Sequence, residues 1–352
     1  MNMTKPLTGL LFVLLLCLIA IVPACGPNVK IKHQPVQFSE APSPYGKAEF
    51  PNWQFSPEKL EGEIYKSLLA EEFLVMETRA TARGTSGAKK DVLHLAALDK
   101  EIKFKFKQAI PGDLDSFNNS PRRELAAYEI QKLFLEPEDY VVPTSLIYCV
   151  PLDLWLQHNP GFTAPSVDGT NCVLGLASIW LANVQIPEVF YEESRFLQEP
   201  NYAYFMSNLN ILTYLIAHRD AKQGNFLLSK DDQRRQVFSI DNGESFGSFP
   251  YNFFVQNWDV IIVPALRKDS IDRLRQLKRQ DLDFLGVVVQ LEKDENGILK
   301  PVPAGENLDP KKSVRIHGAT VQLGLTRTEI ENVWGRIEAL LADVDSGKIP
   351  VF

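Results

Sequence analysis

His218-Arg219-Asp220-Ala221-Lys222-Gln223-Gly224-Asn225-Phe226-Leu227-Leu228, with the Asp241-Asn242-Gly243 that follows it, is the stretch on which the reading of this chain turns. Phe205, Leu209, Leu212 and Ile216 recur at helical spacing just upstream and lead into it. A polar turn over Lys230 to Gln236 and a strand over Val237 to Ile240 then make a loop, a β-hairpin and an acidic residue at the hairpin's end. That order can present Asp220, Asn225 and Asp241 to one small volume. Two oxygen ligands and a nearby carboxylate suit Mg²⁺ bridging phosphate oxygens.

The pattern H-R-D-x-K-x-x-N-F-L over His218 to Leu227 resembles the catalytic loop of protein-kinase-like phosphotransferases. The Asp241-Asn242-Gly243 triplet resembles their metal-binding D-F-G, and is closer to the D-N-G of atypical secretory-pathway kinases. Gly224-Asn225-Phe226-Leu227-Leu228 is also similar to phosphoinositide-kinase catalytic loops. The resemblance implies an α+β, bilobal kinase-like fold, with a β-rich N-lobe over 59–150 and a mostly helical C-lobe over 151–352. It implies ATP and Mg²⁺ as cofactors. Asp220 would accept the proton of a substrate hydroxyl, Asn225 and Asp241 would hold Mg²⁺, and Lys222 would sit against the γ-phosphate. His218 and Arg219 are read as props of the loop. Taken singly, Asp220 also fits a helix-end carboxylate, and Asp241 a type I′ turn on Asn242-Gly243.

The same resemblance requires parts upstream. Phe73 to Thr81, Val92 to Leu98 and Ile102 to Gln108 read as strands, the third with lysines on one face and phenylalanines on the other. Lys103, Lys105 and Lys107 share that face; Lys107 best matches the family order for the lysine that reaches the nucleotide phosphates, and Lys105 is second. Their alternative is a solvated strand face. Pro121 to Leu135 reads as a helix, with Ser120 at its N-cap and Pro121 at its first position. Arg122-Arg123-Glu124-Leu125-Ala126-Ala127-Tyr128 resembles the R-E-x-A-A-Y of atypical kinase-like families. It implies that Glu124 holds the lysine, with Glu129 the runner-up and a plain surface charge the alternative. The turn from Gly84 to Gly87, followed by Lys89 and Lys90, is read either as a cover for phosphates through its backbone N–H groups or as an ordinary hairpin turn. Strand is expected to return over Tyr140 to Val150.

The chain departs from the family in two places. Asn242 stands where the pattern has phenylalanine, and no A-P-E follows; Val263-Pro264-Ala265 is the nearest proline-containing stretch. No phosphorylated activation segment is expected. Arg267, Lys268, Arg273, Arg275, Lys278 and Arg279 form a basic run on a helix, read as a solvated face or, secondarily, an anion dock. A capping box from Thr326 to Glu329 opens a final helix that carries Ile330, Trp334, Ile337 and Leu341 on one face and ends near Gly347.

At the N-terminus, Lys5 precedes an uncharged apolar run from Leu7 to Val22, and Val22-Pro23-Ala24-Cys25 places a small residue before a cysteine. This resembles a bacterial lipoprotein signal over 1–24, with Cys25 lipidated; the alternative is an uncleaved membrane anchor. Either places the rest of the chain outside the membrane. Residues 25–58, with Pro27, Pro35, Pro42, Pro44, Pro51 and Pro57, read as an extended tether. Leu60 to Glu71 reads as a short helix. Cys149 and Cys172 are left as an even pair in an oxidising compartment, where a disulfide and two separate buried thiols are both open.

The 352 residues, 45% hydrophobic and 23% charged, exclude global disorder, and no repeat or coiled coil is visible. A net charge of −7 lacks the basic excess of a nucleic-acid binder. No G-x-S-x-G or H-E-x-x-H occurs, and five histidines leave little for a metal cluster. Two readings follow. One is a membrane-tethered, extracytoplasmic Mg–ATP phosphotransferase acting on a hydroxyl of a protein, sugar or lipid. The other, prompted by the scarcity of ATP outside the cytoplasm, is a non-catalytic kinase-like lipoprotein that binds a nucleotide, glycan or protein at the cell envelope.

Overall fold

The computed structural model describes residues 73–80, 88–95, 100–116, 120–159, 161, 164–181, 183–230, 235–247 and 258–352. The signal over 1–24, Cys25, the 25–58 tether, the helix expected over Leu60 to Glu71 and the turn bearing Gly84 and Gly87 lie outside the described residues. Among the described residues, no helix is long and apolar enough to cross a membrane.

The fold is mixed α+β. Five strands, β1 (Phe73–Ala80), β2 (Lys89–Leu95), β3 (Lys100–Gln108), β4 (Ser145–Pro151) and β5 (Cys172–Ile179), form an antiparallel sheet in the order β1-β2-β3-β5-β4. β2 begins three residues before the expected Val92, because Lys89 and Lys90 pair with Phe106 and Lys105. β3 shows why alternation sets the sheet. Ile102, Phe104 and Phe106 enter a core with Tyr148, Val173 and Trp155 on one face. Each of the buried Ile, Val and Phe side chains contributes roughly 1.5–3 kcal/mol by leaving water. The intervening lysines take the other face.

β5 returns to the middle of this sheet after the excursion from Leu152 to Asn171, which includes α2 (Leu152–His158). The sheet-rich half therefore runs on to Ile179, past the boundary expected at 150. Cys149 and Cys172 form a disulfide between β4 and β5 with Cα atoms 5.4 Å apart. Closing a loop of 23 residues contributes about 3 kcal/mol in the chain-entropy model. The Leu299 N–H donates to Cys172 Sγ at 3.4 Å, so a hairpin turn from the far end of the chain docks on the bridge.

α1 (Pro121–Gln131) is buried along almost its whole length. Ser120 is its N-cap, as expected, but the hydroxyl donates to Asp115 Oδ1 (2.9 Å) instead of capping the helix. The helix stops at Gln131 rather than Leu135. The Gln131 amide oxygen accepts the N–H groups of Val141 and Val142, and its Nε2 donates to the Val142 carbonyl. Capture of that returning segment ends the helix.

The C-terminal half is less helical than expected. It contains α3 (Glu193–Gln198), α4 (Pro200–Leu215), α5 (Lys268–Gln276) and α6 (Arg327–Asp345), but also two sheets. β6 (Val184–Gln185), β7 (Phe226–Ser229) and β8 (Val237–Ser239) form one. β9 (Val289–Lys293), β10 (Leu299–Val302), β11 (Val314–His317) and β12 (Thr320–Leu323) form the other, in the order β10-β9-β12-β11. Their four- and five-residue spans alternate too briefly to stand out from loop. α6 starts at the expected capping box, with Thr326 Oγ1 accepting the Glu329 N–H and Glu329 accepting the Thr326 N–H. α1, α4 and α6 share the main core with Leu209, Leu212, Ile330 and Ile337.

Candidate functional site

Lys107 is the last of the four lysines along β3, 4% exposed, with its Nζ 3.2 Å from Glu124 Oε1 and 2.5 Å from Asp241 Oδ1. A buried ammonium left unpaired is costly. Burial alone would lower its pKa, but the charges of Glu124 and Asp241 outweigh that and hold it above the usual lysine range. Gly175 on β5 makes the placement possible. A Cβ there would lie 2.4 Å from the Phe106 ring and 2.8 Å from the Lys107 carbonyl oxygen.

Glu124 reaches this point from the first turn of α1 and has two partners. One oxygen faces Lys107; the other accepts the Asn242 backbone N–H at 2.7 Å. The carboxylate thereby ties helix, strand and the Asp241 turn together. Asn242 Oδ1 in turn accepts the Ser239 hydroxyl at 2.6 Å. Asp241 has φ of 66°, in the left-handed region, which costs a residue with a Cβ on the order of 1 kcal/mol. Neither Asn242 nor Gly243 has positive φ, so the type I′ alternative does not form. Burial would raise the Asp241 pKa, but the ammonium groups of Lys107 and Lys105 prevail and hold it well below the usual carboxylate range.

The second cluster is on the loop after α4. The chain turns at Ala217 (φ 47°), where the Phe246 N–H donates to the Ile216 carbonyl and the His218 N–H to the Thr213 carbonyl. Asp220 is 5% exposed. Its Oδ2 accepts Lys222 Nζ at 2.7 Å and Asn225 Nδ2 at 2.9 Å, while Oδ1 is buried with no hydrogen-bond partner. Asn225 Nδ2 also donates to the Asp220 carbonyl at 2.8 Å, leaving the Asn225 side-chain oxygen free of donors. The Lys222 side chain is 53% exposed, so its ammonium keeps much of its hydration while paired with Asp220. The Ile240 N–H donates to the Asn225 carbonyl at 2.8 Å, which sets the residue before Asp241 against the residue after Gly224.

His218 is buried with both ring nitrogens unpartnered, and burial pushes its pKa down to about 4. It is a neutral packing group near Phe226. Glu244 was not singled out by the sequence reading, although an acid directly after D-N-G is visible. It is half-buried. Burial, then the charges of Asp220 and Asp241, raise its pKa; Lys222 and Lys107 oppose this.

The expected residues thus fall into two adjoining clusters, Lys107–Glu124–Asp241 and Asp220–Lys222–Asn225. Lys103 and Lys105 continue the β3 face away from Lys107. Glu129 pairs with Lys132 at 2.8 Å and takes no part. The basic run is not an open patch: Arg267 pairs with Asp139, Arg275 with Asp272 and Asp345, and Arg279 with Asp283 and Glu331. Among the described residues, no group of three or more His, Cys, Asp or Glu surrounds a common point. Asn225 and Asp241 offer two oxygens, a number that suits a hard cation retaining water ligands. No protein-family model and no curated protein matches the chain.

Proposed function

We propose that the chain is a phosphotransferase of bilobal kinase-like fold, lipid-anchored at Cys25 outside the membrane, that moves a phosphoryl group from Mg-ATP to a hydroxyl. The observation that carries this is the Lys107 ammonium between Glu124 and Asp241, with the Asp220 cluster beside it. The five-stranded sheet, with α1 between its third and fourth strands, and the helical segments that come after it support the fold, and Val22-Pro23-Ala24-Cys25 supports the anchor.

The residues fit the cation and the nucleotide phosphates. Asp220 Oδ1 is a buried carboxylate oxygen with no donor, which is expensive unless something arrives to use it. Asn225 turns its amide nitrogen inward to Asp220 and so keeps its oxygen for another partner. Asn225 and Asp241 would hold Mg²⁺, which when bound neutralises charge on the phosphate oxygens.

The protein's own groups do the rest. Glu124 fixes Lys107, and Lys107 meets the phosphates. Asn225 holds the Asp220 carboxylate in one orientation. Asp220 Oδ1 takes the proton of the acceptor hydroxyl as the new oxygen–phosphorus bond forms. The bond between the γ-phosphorus and its bridging oxygen breaks, and its electron pair leaves with the diphosphate. Lys222, half in water, follows the charge on the transferring group. Catalysis is positioning and charge neutralisation without a covalent intermediate.

Incubating the purified protein with γ-labelled Mg-ATP, followed by mass spectrometry of protein and added hydroxyl acceptors, tests this. Label on a hydroxyl, lost in Asp220→Ala, is expected. Failure to bind any Mg–nucleotide overturns the proposal, and binding without transfer or ATP hydrolysis converts it to the non-catalytic module.

A further inference from the structure

Lys107 is already neutralised by two carboxylates, yet the cations do not stop there. Lys105 and Lys103 follow it on the same face of β3 at the two-residue period, roughly 6.7 Å apart. Lys90 on β2 stands directly opposite Lys105 in register. Among the described residues, no carboxylate lies within 4.0 Å of the ammonium groups of Lys90, Lys103 or Lys105, although the Lys105 charge is felt at Asp241.

Like charges directly opposite on one face of a sheet are destabilising. Exposed lysines are ordinarily explained as guards on an edge strand. That does not apply to β3, which is the central strand of five, flanked by β2 and β5. The opposite face of β3 supplies the core through Phe104 and Phe106, so packing needs only some polar residue on this face and not an ammonium at three successive positions. Beyond the row, Trp180 donates its N–H to the Lys103 carbonyl, and the Lys90 ammonium lies 5.0 Å from its ring centroid. The aromatic face at the end of the row is therefore occupied by a cation.

We infer that the Lys107–Lys105–Lys103 face of β3, with Lys90, is a groove for a linear phosphate chain, and that the phosphoryl donor is recognised through three or more linked phosphates rather than through its base. The spacing of alternate strand residues is comparable to two P–O–P links, so successive lysines meet successive parts of such a chain. The inference rests on the reading of Lys107 as the donor-binding lysine. Its ligand chemistry has two sources, a nucleoside triphosphate and inorganic tripolyphosphate or longer polyphosphate. The second would serve an enzyme placed where ATP is scarce.

The test is isothermal titration of the full chain with Mg-ATP, Mg-GTP and Mg-tripolyphosphate, on wild type, Lys105→Ala, Lys105→Arg and Lys348→Ala. Lys348 is an exposed lysine paired with Asp343, far from β3 in sequence, and controls for general charge. Tripolyphosphate is expected to bind within tenfold of ATP and to compete with it, and GTP to match ATP within threefold. Lys105→Ala should weaken all three by at least tenfold; Lys105→Arg and Lys348→Ala should change them by less than threefold.

ATP binding that ignores Lys105 and resists tripolyphosphate overturns the groove and leaves the kinase reading standing. Lys105-dependent binding of tripolyphosphate with no nucleotide binding does the reverse. An equal loss in Lys348→Ala, or no binding of any of the three, also overturns the groove.

Discussion

Two buried charge clusters grow from the first turn of one helix, and they are finished to different degrees. Arg122 is 2% exposed and its donors are spent. Nε and Nη2 donate to Asp115, and Nη1 and Nη2 donate to Glu329, all between 2.7 and 3.0 Å; Nη1 also reaches the Gly324 carbonyl at 3.4 Å. The acceptors are shared out as fully. Asp115 also accepts the hydroxyls of Ser120 and Ser313, and Glu329 also closes the α6 capping box. Two residues on, Glu124 opens the other cluster. In the Asp220 group that adjoins it, Oδ1 of Asp220 is orphaned and Lys222 is half in water, and the carboxyl of Glu244 nearby is pressed towards its neutral form. A saturated cluster does structural work, here fastening α1 to α6. An unsaturated one is stable only as far as its surroundings force it, and is ready for a ligand.

The sharpest way to test that contrast is Asp220→Asn. Phosphoryl transfer should fall by about 10²–10⁴-fold, the range for loss of a general base, with Mg-ATP affinity within threefold by titration. Chemical denaturation of the same variant should show little loss of stability, since the ion pair that goes is with a half-exposed Lys222 and the amide keeps an oxygen for Asn225. Arg122→Met should do the opposite to the fold. It strands Asp115 and Glu329, and removing one partner of a buried pair costs about 3–5 kcal/mol by urea denaturation. A loss below 1 kcal/mol would erase the distinction between the clusters.

Acid separates them further. His218 belongs to the unsaturated side, and its folded pKa is lowered from 6.5 to about 4. The unfolded chain therefore binds the proton first as pH falls. Stability should decline from about pH 6.5, by about 3 kcal/mol at pH 4, and His218→Gln should flatten that part of the profile. Asp115, lowered by Arg122 against the effect of burial, behaves as a depressed acid. Its contribution is complete above the ordinary aspartate pKa near 4 and is lost only as pH falls through its lower folded value. The smallest effect is that of Glu244, whose folded pKa is raised. Its ionisation disfavours the fold as pH rises above the ordinary glutamate value, so Glu244→Gln should be the more stable protein at pH 7 and indistinguishable from wild type at pH 3.

The parts legible in the sequence were those carried by contiguous residues. His218 to Leu228 and Asp241 to Gly243 are spaced by one hairpin, and Thr326 to Glu329 is a capping box within four residues; local spacing fixes local geometry. Lys107 and Glu124 were reachable because strand alternation and a helix first turn limit where each can point. The Arg122 cluster had no such signature. Its members, Asp115, Ser313, Gly324 and Glu329, are scattered over more than two hundred positions and meet only after the sheets have formed. The β9–β12 sheet was missed for a related reason: strands of four or five residues owe their existence to pairing partners more than to their own pattern. The early end of α1 depended on Gln131, whose amide binds backbone ten residues further along.

Gly175 gives the Lys107 face of the sheet a dependence on an atom that is missing. The one-methyl step to alanine would be set against the Phe106 ring and the backbone of the very residue that carries the ammonium. Such a substitution, itself uncharged, would pry two neighbouring strands apart and drag Lys107 out of register with Glu124. Among related chains, substitution should therefore be policed at this silent position as strictly as at the charged ones.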